Sequence, residues 1–270
     1  MGTMLTLMAV HAHPDDEVMS TGGSFAKYAA EGVRTVLVTC TNGEQGDGPG
    51  GVKPGEPGHS ETAVAEQRLA ELAESVGHLN ITHLELLGYH DSGMAGWAGN
   101  ASSDAFANVD FDKAVARVAA LMEEYRPQVV VTYDENGNYG HPDHIQAHRV
   151  AVAAAEATGI PVKFYYTAVP RRVIQASFAA MKAQGMDPGW ELPEDFGTPD
   201  ELITTVVDTH EQADVKLAAL RAHGSQGDSI SLLSMPPETQ RMAMSAEHFI
   251  RVFSRVPAPD HEDDLFAGLR

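Results

Sequence analysis

The chain has little cysteine, few bases and no long apolar run. Cys40 is the only cysteine in 270 residues, so no internal disulfide can staple the fold, and a reducing cytoplasm is the expected location. It lies in the apolar run 35–41 and is expected to be a buried, inert thiol rather than a reactive one. Lys and Arg number 18 against 38 Asp and Glu, a formal charge of −20. Such a surface repels nucleic acid and anionic membranes, which removes both from the expected partners. No apolar stretch reaches the ~20 residues that a transmembrane helix needs. The first residues carry no basic stretch and no cleavage site, so no signal peptide is expected. Residues 1–6 formally fit a myristoylation pattern, which is discounted because the segment runs straight into a strand-like stretch.

Forty-three per cent of the residues are apolar, enough for one sizeable core. Short β-branched runs at 6–11, 35–41, 82–87, 128–133 and 162–168 alternate with Ala-rich stretches at 17–31, 61–76, 112–125 and 143–158. In the third of these, Val115, Val118, Ala119 and Met122 follow the spacing of one helix face. Pro127 stops it, and Gly32, Gly77 and Gly159 punctuate other helix ends. Alternation of this kind predicts a Rossmann-like α/β fold, an open, mostly parallel sheet with helices on both faces. Every strand-to-helix loop then falls on one sheet edge, where open α/β folds bind ligands. Residues 1–170 are read as this catalytic core and 171–270 as a C-terminal extension of the same domain. In the extension a helix is expected at 173–184, a Pro/Gly stretch at 187–199, a strand at 202–207 and a helix at 211–222. Two long loops, 42–59 and 88–108, have the length of functional walls or lids.

Two of the strand-to-helix loops carry chemistry. The first holds His11-Ala12-His13-Pro14-Asp15-Asp16-Glu17, and the second Tyr139-Gly140-His141-Pro142-Asp143-His144. His13 and Asp16, three apart at a helix start, share one side. His144 opens a helix after another strand, so its ring can reach the same point. Two imidazoles and a carboxylate leave one position for water, the arrangement of a hydrolytic zinc site. One Zn²⁺ per chain is expected, with Fe²⁺ or another divalent ion as the alternative occupant. Asp15, beside a ligand and not needed as one, is the natural general base. Helix capping is the plain alternative for Asp15 or Asp143, and it accounts for either cluster alone better than for both together. His11 reads as a satisfied core histidine and His148 as a surface helix position.

Other patterns fail. Gly46-Asp47-Gly48-Pro49-Gly50-Gly51 fits a dinucleotide-binding string, but Pro54 and Pro57 follow where a helix must begin. Asp134–Tyr139 starts like a calcium loop yet has Tyr139 where glycine is required. There is no G-x-S-x-G nucleophile elbow.

The stretches 13–17 and 140–144 resemble the signatures of the zinc-dependent N-acetylglucosaminyl-phosphatidylinositol de-N-acetylase family, also called PIG-L or LmbE-like. Residues 10–17 and 131–137 are most similar to its actinobacterial mycothiol branch, which contains a deacetylase and an S-conjugate amidase. The resemblance covers about residues 4–170, with a weaker echo at 220–223 and Gln226. It implies that His13, Asp16 and His144 hold zinc and that Asp15 activates water. It also implies that His141, as imidazolium, stabilises the oxyanion, that Asp143 tunes that imidazole, and that Tyr139 helps polarise the amide carbonyl. Arg68, Asp91 and Glu44 match positions that contact the sugar in the mycothiol branch, although a solvated helix face is an equal reading for Arg68 and a turn for Asp91. The implied activity is removal of acetate from an N-acetylglucosamine-type small molecule. The rivals are an amidase acting on a larger acyl group and a sugar-binding protein without turnover. The sequence leaves oligomeric state open, a homo-oligomer included.

Overall fold

A computed structural model describes residues 4–183, 191–227 and 232–270. Its strands are β1 (Thr6–His11), β2 (Arg34–Thr41), β3 (His83–Tyr89), β4 (Val129–Thr132), β5 (Lys163–Ala168), β6 (Thr205–Asp208) and β7 (Ala246–Ser254). They form one sheet in the order β3-β2-β1-β4-β5-β7-β6. The first five run parallel, β7 runs antiparallel to β5, and β6 antiparallel to β7. The helices are α1 (Asp16–Ala30), α2 (Glu61–His78), α3 (Phe111–Tyr125), the irregular turn α4 (Gly137–Gly140), α5 (Pro142–Thr158), α6 (Arg171–Ala183), α7 (Ala213–Ala222) and α8 (Pro237–Ala243).

The central strands are near-continuous apolar runs because both of their faces are covered. Side chains alternate across the pleat, so each strand feeds two cores. Leu7, Ala9, Val129 and Val131 pack with Val18, Phe25 and Tyr28 of α1 and Leu72 of α2. Met8, Val10 and Val130 pack on the opposite face with Val118 and Met122 of α3 and Val150 and Ala154 of α5. Cys40 belongs to the second core, and burial pushes its thiol well above the ordinary value.

Strands β1 and β4 are neighbours, with Leu7 opposite Val129 and Ala9 opposite Val131. The chain leaves β1 for β2 on one side and β4 for β5 on the other. That reversal of strand order is the place where open α/β sheets bind ligands beyond the carboxyl ends of the strands. Both His/Asp loops sit there.

The C-terminal hundred residues differ most from expectation. The strand expected at 202–207 begins at Thr205, and β7 has no counterpart among the expected elements. It pairs on both sides, and its half-exposed side chains give only a weak alternating signal. Gly77 does not end α2; the left-handed residue there is Asn80, at φ 54°. The helix expected at 173–184 runs over α6, with Gln184 outside the described residues, as are 187–190 of the Pro/Gly stretch and 1–3 of the N-terminus.

Buried charges tie the later chain to α1. Glu247 of β7 accepts main-chain N–H bonds from Gly23 (2.7 Å) and Ser24 (2.8 Å) inside the helix. Its partner Lys216 of α7 lies 2.7 Å away, and both side chains are fully buried. Lys216 Nζ also donates to the Met19 carbonyl at 2.9 Å. Removing one member of such a pair strands the other charge in a dry environment. Glu247→Ala is therefore expected to cost about 3–5 kcal/mol, read as a lower urea midpoint, and an unchanged midpoint would contradict the role assigned to the pair.

Candidate metal centre

The loop after β1 is shaped by Asp15 and Asp16. Asp15 precedes α1 with φ 111° and ψ −28°, a backbone region that costs a non-glycine residue about 1–3 kcal/mol. Glu17 accepts the Asp15 N–H (3.0 Å), and Asp16 Oδ2 accepts the His13 N–H (2.7 Å). Glu17 is itself buried, accepting from Ser75 Oγ (2.5 Å) and meeting His223 Nε2 at 2.8 Å. The strained turn is thus held from behind by α2 and by the residue that ends α7.

His141 caps α5, and its Nδ1 accepts the Asp143 N–H at 3.1 Å. Gly137, at φ +60°, lets the preceding turn cross over α5, since a Cβ there would lie 2.6 Å from His144 Cβ. One helical turn after His141, the His144 ring stacks on Tyr133 with centroids 4.1 Å apart.

These elements bring three donors together. His13 Nδ1 lies 3.3 Å from Asp16 Oδ2, His144 Nε2 lies 3.3 Å from Asp16 Oδ1, and the two ring nitrogens are 3.3 Å apart. Ligands about 2.0–2.1 Å from a tetrahedral ion stand about 3.3 Å from one another; the His13–His144 edge has that length, and the Asp16 carboxylate closes the triangle with one oxygen toward each ring. A His13/His141/His144 set also has its ligand atoms within 4.8 Å of one another. The residues fit a metal.

Behind His13 stand two carboxylates. Its Nε2 is 3.3 Å from Asp143 Oδ2 and 3.5 Å from Asp91 Oδ1, while Nδ1 faces Asp16 and His144. A histidine ligand backed by a carboxylate is the usual way to fix tautomer and ring orientation. Burial alone would push the His13 imidazole down, yet Asp91, Asp143 and Asp16 together raise it well above its ordinary value. Burial likewise opposes ionisation of Asp16, and His144 and His13 more than offset it. The centre calls for positive charge.

Several expectations change in this light. Asp143 turns its carboxylate to His13 and Ser92, accepting from Ser92 N (2.8 Å) and Ser92 Oγ; its hydrogen bond to His141 comes from the main chain. Burial, His13 and His144 push the His141 imidazole down to about 3, which opposes the expected imidazolium, and its Nδ1 accepts the Asp143 N–H. Arg68 is no solvated face residue. It is buried and donates to Gly43 O (2.7 Å), Pro14 O (2.6 Å) and Asp15 Oδ2 (2.9 Å). Glu44 does not line the cleft: it is buried and faces His90 at 3.6 Å, while Gln45, Gly46 and Asp47 supply that wall. Asp91 does line it, accepting from Gly93 N (2.8 Å) and Gln45 N (3.3 Å). His148 is buried and bonds the Tyr133 carbonyl at 2.9 Å, because α5 presents that turn to β4 and not to solvent. His11 is a core histidine, bonded to Tyr133 Oη (3.2 Å) and Thr21 Oγ1 (2.8 Å).

Asp15 keeps 28% of its side chain exposed at the floor of a cleft of about 570 Å³. Burial raises its carboxyl to about 6, although Arg68 opposes the shift. Tyr139 stands at the rim, 5.0 Å from the His144 ring between centroids. Tyr133 is a site residue that sequence reasoning missed. Its hydroxyl donates to Asp16 Oδ2 (2.7 Å) and accepts the Ala12 N–H (2.8 Å). The available signal was its place at the end of β4, level with the loop after β1.

The spacing predicts one divalent ion per chain and a measurable division of labour. His144→Ala is expected to lose bound metal, as read by inductively coupled plasma mass spectrometry. Asp143→Asn is expected to retain the site but weaken metal affinity by about 10–100-fold in competition with a chelating dye. Unchanged affinity would mean that Asp143 does not act through His13.

The comparisons agree with this geometry. A family model described as GlcNAc-PI de-N-acetylase, PIG-L, matches residues 8–155. The 1D-myo-inositol 2-acetamido-2-deoxy-alpha-D-glucopyranoside deacetylase of Acidothermus cellulolyticus is 42% identical over 281 residues, covering 98% of this chain and 95% of that protein. Among solved structures, the N,N'-diacetylchitobiose deacetylase of Pyrococcus horikoshii aligns with TM-score 0.58 and 21% identity over 92% of this chain and 83% of its own. The 4-carboxy-2-hydroxymuconate hydratase of Pseudomonas putida aligns with TM-score 0.60 and 20% identity, covering 95% and 99%. The fold thus also carries a hydratase, and such likeness speaks for architecture alone. The match across more than half of the chain, with near full-length identity above two-fifths to a curated relative, decides the matter: the chain belongs to the PIG-L family of GlcNAc-PI de-N-acetylases.

Proposed function

We propose that the chain is a zinc-dependent N-deacetylase of an N-acetylglucosamine-type amino sugar, with a 2-acetamido-2-deoxyglucosyl inositol as its substrate. The observation that carries this reading is the 3.3 Å triangle of His13, Asp16 and His144 beside a base held in a strained turn. The donor set, two imidazoles and a carboxylate with room for solvent, suits zinc, and Fe²⁺ fits the same donors. His13, Asp16 and His144 would hold the ion, which would supply a water acidified toward a pKa of about 7 and a Lewis acid for the acetamide carbonyl.

The protein's own groups do the rest. Arg68 engages one oxygen of Asp15 (2.9 Å) and leaves the other for solvent in the cleft. With a carboxyl near 6, Asp15 is matched to taking a proton from the attacking water and returning it to the leaving amine at neutral pH. His141, neutral with its Nδ1 occupied, has Nε2–H to donate to the developing oxyanion. Tyr139, at the rim, is placed to hydrogen-bond the carbonyl from the other side. Amide and water become free amine and acetate. The lone cysteine and acidic surface support a soluble small-molecule enzyme of a reducing cytoplasm, and no helix among the described residues is long and apolar enough to cross a membrane.

Chelation followed by Zn²⁺ addition is expected to abolish and then restore acetate release from a panel of N-acetylated and longer N-acyl amino sugars. Release from no member of the panel would sink the deacetylase reading, and release only of longer acids would favour the larger-acyl amidase. Asp15→Asn should keep its metal while kcat falls by about 10²–10⁴-fold; undiminished turnover would remove Asp15 as the base.

A further inference from the structure

Beside the metal-bearing cleft lies a second one of about 540 Å³, and Gln45 and Trp97 line both. The indole forms part of the partition between them and is 43% exposed. It sits flush on Gly93, where φ is +68° and a Cβ would lie 2.9 Å from the ring carbon Cε3. Gly93 N–H in turn bonds Asp91 Oδ1, the carboxylate oxygen 3.5 Å from His13 Nε2. Asn100 ties the loop together, donating to Ser92 O (2.5 Å) and accepting from Gly96 N (2.8 Å). Ser92 is fixed to Asp143. A surface tryptophan is thus held at a set place relative to the metal donors, at the cost of an exposed apolar face.

The rest of the second cleft mixes polar side chains with Pro54, Ala98 and two glycines. Glu61 bridges Gln45 Nε2 (2.7 Å) and His90 Nε2 (3.3 Å) through its two oxygens, and Ser102 adds a hydroxyl. A flat aromatic face with a rim of carboxylate, amide and hydroxyl groups matches a ring that has an apolar C–H face and an equatorial belt of hydroxyls. Glu44 and Glu61 both lie within 3.6 Å of His90, and with a chain charge of −20 they disfavour an anionic occupant. We propose that Trp97, with Gln45, Glu61, His90 and Ser102, forms an outer subsite that takes a neutral polyol ring, the substrate's second ring, against the indole. This rests on the deacetylase reading for the ring it assigns to the subsite, and the test separates the two.

Acetate release is measured with N-acetylglucosamine and with 2-acetamido-2-deoxyglucosyl inositol, for the wild type, Trp97→Ala and Trp97→Phe. The ratio of kcat/KM for the two-ring over the one-ring substrate is expected to fall at least fivefold in Trp97→Ala, through KM, and to recover most of that loss in Trp97→Phe. A smaller change, or equal losses on both substrates, overturns the subsite. If the wild type deacetylates neither compound, the deacetylase reading fails and the subsite is judged by fluorescence. Trp97 is one of two tryptophans, and the other, Trp190, lies outside the described residues. In Trp190→Phe, a saturable change of indole emission with glucosaminyl inositol, absent with glucosamine, supports the subsite. No change with either compound overturns it.

Discussion

Parallel pairing of β1 with β4 is the constraint on which the site depends. The register that sets Leu7 against Val129 brings the ends of two strands that are more than a hundred residues apart in sequence side by side. Each ends in a loop that turns into a helix, and the two helices lie on opposite faces of the sheet. The donors therefore approach from two directions, His13 and Asp16 from one turn and His144 from the other. Tyr133 joins the halves, with its ring stacked on His144 and its hydroxyl on Asp16. A slip of β1 by one residue would turn its core side chains to the wrong faces and pull the triangle apart.

Much of this was legible before any coordinates. The parallel core could be read because strands buried on both faces are apolar without interruption. The two loops could be read because few structural demands put so many imidazoles and carboxylates at strand ends. What escaped was of a different kind. Strand β7 is half-exposed and pairs antiparallel with partners distant in sequence, so its pattern carries little local signal. The orientation of the Asp143 carboxylate depends on Ser92, fifty-one residues away, and no spacing rule reaches that far. Burial of Arg68 follows from the paths of the loops at Gly43 and Pro14, to whose carbonyls it donates, and not from the periodicity of α2.

The later chain is bound into the turn at Asp15 at two depths. Glu247 and Lys216 attach to the backbone of α1 itself. Nearer the chemistry, His223 holds Glu17, whose other oxygen accepts the N–H of Asp15. The unusual backbone angles of Asp15 need such over-determination, because an isolated turn would relax out of them. The last hundred residues thus help to hold Asp15 in place, although they contribute none of the three donors in the triangle.

Asp143 has one further consequence. It serves two masters, His13 on one oxygen and Ser92 on both, so the donor shell and the loop bearing Trp97 share a single anchor. Reciprocity of binding free energies makes any coupling that runs through this anchor, of either sign, equal in both directions. A cation held at the donors and a ring held against Trp97 would thus report on each other through one carboxylate.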